Sequence, residues 1–186
     1  MRIVDRDFFT VDVVELAQNL LGKIIVRKVD DGSVIKARIT ETEAYAGYGD
    51  TASHAHKGIT PRTAPMFEAG GVVYVYLCYG IFEILNFVSG QAGDGQGVMI
   101  RGVAPVLEED EWTTIDKPLE GPGRVGRALQ ITRSLRFEDL VSSDKIWLEN
   151  DGVIVKAKQI EKLKRVGIGY ALQVDQDRLW RFRLKK

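Results

Sequence analysis

The hydrophobic pattern begins helical and then becomes strand-like. Val14, Ala17 and Leu21 recur at helical spacing behind Thr10, a residue able to cap, and Gly22 closes the segment. Ile24 to Val29 and Val34 to Tyr45 then read as two strands joined at Asp30-Asp31-Gly32, a hairpin turn signal. In the second strand Ile35, Ala37 and Ile39 form an apolar face, which Glu41, Glu43 and Tyr45 continue by alternation. Carboxylates following an apolar stripe allow two readings. Either the strand emerges into water after Ile39, or the acids are held in a site, because burying one unpaired costs several kcal/mol.

Ala46 to Pro65 shows neither period and is rich in Gly, Thr, Pro and His, which predicts a long irregular segment. Beyond it, Gly70 to Phe82 is β-branched and aromatic, with Tyr74 and Tyr76 on one face and Val75 and Leu77 on the other. Tyr79-Gly80 is a turn, and a return strand runs from Ile81 to Val88 with Asn86 among apolar face-mates. After a glycine-rich loop (Gly90 to Gly97), Val98 to Val103 predicts another strand, interrupted by Arg101. Pro122 starts a helix with Val125, Ala128 and Leu129 as its stripe. Ile146 to Leu148 and Val153 to Val155 read as a hairpin about Asn150-Asp151-Gly152, and Arg178 to Leu184 as a final strand. Hairpin-linked strands with helices at the ends, rather than as regular crossovers, point to the α+β class: a mostly antiparallel sheet with peripheral helices.

Composition narrows the class further. The chain of 186 residues is 45% hydrophobic and 28% charged, and is expected to form one domain over residues 1–186. No run is long enough to span a membrane, and no signal peptide opens the chain. The single cysteine, Cys78, excludes an internal disulfide and suits the cytoplasm, and two histidines make a Cys/His zinc site a poor expectation. Formal net charge is zero, but the charge is segregated. An acidic block (Glu108 to Glu111, Asp116, Glu120) precedes Arg124, Arg127, Arg133 and Arg136, and Lys156 to Arg165 is again basic, so basic faces able to meet phosphates are possible.

The unusual pieces are carboxylates beside an apolar strand, several tyrosines, two histidines, a lone asparagine and basic segments. Neither a serine–histidine–acid set nor metal-ligand spacing is present. Hydrolysis at a sugar carbon calls for such parts: an acid to ionise a water, and flat side chains to hold the leaving base.

At this point the chain resembles the alkyladenine (3-methyladenine) DNA glycosylase family, almost end to end. The landmarks are Leu20-Leu21-Gly22-Lys23, Glu41-Thr42-Glu43-Ala44-Tyr45, Ala52-Ser53-His54, Thr60-Pro61-Arg62, Met66-Phe67, Tyr74-Val75-Tyr76 and Tyr79-Gly80. They continue with Asn86, Arg101, Gly121-Pro122-Gly123, Arg165-Val166-Gly167-Ile168 and Trp180-Arg181-Phe182. Their order and spacing carry the match.

The resemblance implies a monofunctional enzyme of base-excision repair that flips alkylated or deaminated purines from double-stranded DNA, acting as a monomer without metal or cofactor. Glu43 matches the general base, and Arg101 a basic residue beside the catalytic water. Tyr45, His54 and Tyr76 match the residues that sandwich and line the flipped base, and Asn86 the side chain that crowds the amino group of guanine. Tyr79 matches the side chain that fills the gap in the duplex, and Thr60, Gly80 and Ile81 match DNA-backbone contacts. Glu41 is expected to be a supporting carboxylate, and His56 has no matching role. Ile59, Thr63, Arg124 and the longer loop at Gln91 to Gly93 depart from the family's pattern, as does the shorter spacing between His54 and Thr60. The short lead-in suits a minimal bacterial-type enzyme. Two other classes stay open: a non-catalytic DNA-binding module of the same fold, and a hydrolase of free nucleosides, which would need no wedge.

Overall fold

The computed structural model describes residues 1–106 and 113–185, with Thr113 and Thr114 described by backbone alone. Most of the predicted acidic block, Glu108 to Glu111, lies outside the described residues.

The class is α+β. Among the described residues ten strands form one sheet, antiparallel except where β6 joins β2. They are β1 (Ile24–Lys28), β2 (Val34–Tyr45), β3 (Val73–Cys78), β4 (Phe82–Ser89), β5 (Gln96–Ala104), β6 (Thr113–Thr114), β7 (Leu119–Glu120), β8 (Ile146–Glu149), β9 (Ile160–Leu163) and β10 (Arg181–Leu184). The main order is β3-β4-β5-β2-β1-β8. β2 is long enough to need two neighbours on one edge. Its first half pairs with β1 and its Glu41–Glu43 segment with β10, while β5 runs along the other edge. Helices α1 (Val13–Asn19) and α2 (Pro122–Ala128) pack on one face, and α3 (Gln173–Gln176) is a single turn.

The main core fills that helical face. Leu16 and Ala17 of α1 and Val125 of α2 meet Ile39, Val75, Phe87, Ile100 and Phe182 from the sheet. Burying such side chains supplies about 1.5–3 kcal/mol each. α2 sits so close to β4 that a Cβ added at Gly126 would lie 2.0 Å from the Glu83 carbonyl oxygen.

Three expectations need correction. The cap of α1 is Asp12, whose side chain accepts the Val14 N–H at 2.8 Å, and not Thr10. Ile146 to Leu148 do not pair with Val153 to Val155; β8 pairs with β1, and residues 153–155 form no strand. Asp151 bonds Arg38 at 2.6 Å, which carries the chain away from β8. The third concerns the acidic face. Glu41, Glu43 and Tyr45 do not continue the face of Ile35, Ala37 and Ile39, because β2 and β5 slip register between Ile39 and Thr42. Thr40 bulges from β2 and Arg101 from β5, and beyond them the pairing resumes. After the bulge Thr42 and Ala44 take the core side, Thr42 donating its hydroxyl to Ala17 O at 2.7 Å. The carboxylates therefore lie on the face opposite the helices.

Candidate active site

The bulges bring three charged groups to one place. Arg101 Nε lies 3.4 Å from Glu41 Oε1 and 3.4 Å from Glu43 Oε1. Arg181, facing β2 from β10, reaches Glu41 Oε1 at 3.2 Å. Glu43 is 0% exposed yet fully engaged: Oε2 accepts the Tyr45 hydroxyl at 2.7 Å and Oε1 accepts the Val166 N–H at 2.8 Å. Burial pushes its pKa up from the ordinary value, opposed by Arg101, by those two hydrogen bonds and by Arg181. Burial also drives the Tyr45 phenol far upward, helped by the charge of Glu43, so it stays a donor.

Above this group opens a cavity of about 550 Å³, walled by Tyr45, His54, Tyr74, Tyr76, Asn86 and Arg101 among others. Glu43 has no surface in it and lies behind the wall made by Tyr45, Arg101 and Val166. The rings are locked to one another: His54 meets Tyr76 edge-on at 4.5 Å, and Tyr74 lies 5.6 Å from Tyr76. A flat heteroaromatic ligand suits such walls.

His54 Nε2 lies 3.4 Å from Arg62 Nη2 and Nδ1 lies 3.0 Å from the Tyr74 hydroxyl. An arginine only donates, so Nε2 is the acceptor and Nδ1 carries the proton. Burial and the Arg62 charge lower the His54 pKa to about 4, so the ring is neutral at physiological pH. Asn86 spends its amide hydrogens on Tyr74 O and Ile84 O, both at 3.1 Å, which leaves its carbonyl oxygen as the group it can offer a ligand.

Tyr79 stands at the cavity mouth. It is 89% exposed at the tip of the β3–β4 hairpin, where Tyr79 (φ 51°) and Gly80 (φ 73°) make a tight turn. Neighbouring Ile81 is exposed too, but it lines a second cavity of about 510 Å³ beside α2. Thr60 is exposed, its hydroxyl 3.0 Å from that of Thr63. The fold thus gathers Tyr45, His54, Tyr76, Tyr79, Asn86 and Arg101 around one cavity with Glu43 behind it, while Thr60, Gly80 and Ile81 stand outside. His56 points away and bonds Tyr48 O.

Sequence reasoning missed two supports. Arg165 and Asp50 form an ion pair with both side chains 0% exposed. The Arg165 guanidinium lies 4.8 Å from the Tyr45 ring and 5.2 Å from that of Trp180, and donates to Ala44 O at 2.9 Å. Arg165 stood in a recognised motif, but its partner lies 115 residues away. The Val166 N–H is a backbone donor, which no residue type announces. Among the described residues no cluster of metal-binding side chains occurs, and no helix is long and apolar enough to cross a membrane.

A sequence model of the methylpurine-DNA glycosylase family matches residues 7–186. A DNA-3-methyladenine glycosylase of Arabidopsis thaliana is 41% identical across 98% of this chain and 71% of its own length. Proteins of Clostridium perfringens strain 13 and Methanocella arvoryzae carry 3-methyladenine DNA glycosylase as a provisional name. They are 38% and 39% identical, across 97% and 98% of this chain and 94% and 92% of their own lengths.

Proposed function

Because the chain belongs to the methylpurine-DNA glycosylase family, we propose that it excises damaged purines, alkylated or deaminated, from double-stranded DNA by hydrolysing the N-glycosidic bond and leaving an abasic site. The observation that carries this reading is the buried Glu43, held by Arg101, Tyr45 and Val166 behind an aromatic-walled cavity.

Flipping costs a few kcal/mol, and least where damage has weakened pairing or stacking. Tyr79 enters the duplex and fills the gap. The extruded base enters the cavity and stacks against Tyr45, His54 and Tyr76, the stacking contributing about 1–3 kcal/mol per base. Asn86 crowds the exocyclic amino group of guanine and so disfavours the normal base. Thr60, Gly80 and Ile81 meet the DNA backbone beside the wedge.

Glu43 then removes a proton from a water aimed at C1′. The new C1′–O bond forms as the C1′–N bond breaks, and its electron pair leaves with the purine. Oε2 accepts one hydrogen bond and keeps a lone pair for the water, but Glu43 is 0% exposed at rest, so this step requires the wall of Tyr45, Arg101 and Val166 to part enough to admit the water. Arg101 keeps the carboxylate ionised in a site where burial favours the acid. A lyase step through a Schiff base has no candidate amine: among the described residues lining the cavity there is no lysine.

The test is release of free 3-methyladenine and 7-methylguanine from methylated duplex DNA by the wild-type chain and by Glu43→Gln. The wild type should release base and the variant lose at least 10²-fold while still binding lesion DNA. Equal release by both would remove Glu43 from the mechanism.

A further inference from the structure

Arg62 is a cation placed against the cavity that the fold leaves without a carboxylate. Three other cations around the site are matched: Arg101 by Glu41 and Glu43, Arg181 by Glu41, and Arg165 by Asp50. Among the described residues no acidic side chain pairs with Arg62. Its guanidinium instead lies 5.3 Å from the Tyr76 ring centroid and 3.4 Å from His54 Nε2, both members of the aromatic wall.

Its backbone is tied down. The turn carrying Arg62 is closed by Thr63 N–H and Ala64 N–H donating to Thr60 O at 3.0 and 2.9 Å. Arg136 clamps it by donating to Pro61 O at 2.6 Å and Arg62 O at 3.1 Å. The Thr63 hydroxyl, buried, adds a bond to Gly58 O at 3.0 Å. A surface arginine on a free loop averages its charge over solvent; this one starts from a fixed stem beside the rings.

We propose that Arg62 is a specificity-determining residue that biases the cavity against cationic alkylpurines and toward neutral damaged purines. The inference rests on the glycosylase reading above and names the charge of the preferred substrate. A purine nucleotide methylated at N7 or N3 carries a positive charge until its glycosidic bond breaks, whereas hypoxanthine does not. The cationic base competes with Arg62 for the π density of Tyr76 and is repelled by it directly. The neutral base meets no such opposition.

The test compares single-turnover excision by the wild type, Arg62→Gln and Arg62→Lys on one duplex sequence carrying either 7-methylguanine or hypoxanthine. For unit charges about 7 Å apart at an effective dielectric of about 40, Arg62→Gln should raise the 7-methylguanine:hypoxanthine rate ratio roughly 3- to 10-fold, with Arg62→Lys near the wild-type ratio. The same ratio shift is expected in lesion-duplex affinity when Arg62→Gln is placed in a Glu43→Gln background, a readout that needs no turnover. Equal losses on both lesions, as from a lost phosphate contact, would overturn the inference, and so would an unchanged ratio. If the wild type excises neither base, the glycosylase reading itself falls and takes this inference with it. If it excises both and the ratio does not move, only the role of Arg62 falls.

Discussion

Removing Asp50 should be far more damaging than its distance from the proposed chemistry suggests. In the folded chain Asp50 accepts two bonds from Arg165, at 2.5 and 2.8 Å, and two from the backbone N–H groups of Ala46 and Ala52, at 3.2 and 3.1 Å. Arg165 also donates to Ala44 O and Asp175 O, and neither member of the pair has exposed side chain. Asp50→Ala leaves a guanidinium in the interior without its counter-charge and two backbone donors without acceptors. Breaking a buried pair from one side costs about 3–5 kcal/mol. At about 2–4 °C per kcal/mol for a domain of this size, the melting temperature should fall by roughly 6–20 °C. Urea and thermal unfolding followed by circular dichroism measure this directly. Asp50→Leu/Arg165→Met removes both charges and should recover much of the loss, because the penalty belongs to the orphaned cation. A single variant less than about 1 kcal/mol below wild type would refute the reasoning, as would a double variant no better than the single one.

Glu43→Gln should keep or raise the melting temperature at neutral pH while excision collapses. Burial raises the folded-state pKa of Glu43, so its contribution to stability is present below the ordinary carboxylate range and lost as pH rises through the raised value; a clear drop in melting temperature at pH 7.5 would contradict this. His54 works in the opposite direction. Its pKa falls from 6.5 to about 4 on folding, so it withdraws stability as pH drops through that window, by at most about 3 kcal/mol, and His54→Gln should flatten the acid limb of a urea-stability profile. Tyr79→Ala removes a side chain that is 89% exposed, so unfolding should shift by less than about 0.5 kcal/mol while duplex excision falls and excision from single strands does not. Gly126→Ala puts a Cβ 2.0 Å from Glu83 O, so α2 must lift from β4 at a cost of about 1–3 kcal/mol, read from the urea midpoint; wild-type stability would show that the helix can move freely.

Local chemistry made much of this architecture legible. Asp30-Asp31-Gly32 marks the β1–β2 turn, Tyr79-Gly80 the β3–β4 turn, and Pro122 the first residue of α2. Each announces itself through backbone preferences of the residues concerned. Non-local partners were not legible. β8 chooses β1 rather than the nearby Val153 to Val155, and β9 pairs with β10, decisions made by the edges available after collapse. In the site, the motif pointed to the residues that surround the cavity, but alternation placed Glu41 and Glu43 on the wrong side of the sheet. A bulge at Thr40 leaves no pattern when only one strand is read. The Asp50–Arg165 pair and the Val166 donor escaped for the same reason: their meaning lies in what they meet.

The facing bulges at Thr40 and Arg101 behave like a frameshift and its suppressor. Each strand changes frame once, at the same level of the sheet, so pairs on either side match and only sidedness is inverted between them. Deleting Thr40 would make Glu41 the next residue after Ile39, so plain alternation would then hold Glu41 and Glu43 on the face opposite α1 that the bulge now gives them. A matching deletion at position 101 would make the ladder regular and keep the acids on that face, but it would remove the guanidinium that Glu41 and Glu43 share. Pairing and sequence parity are thus separable quantities along β2: the ladder stays matched while the face shown by odd-numbered residues changes at Thr40.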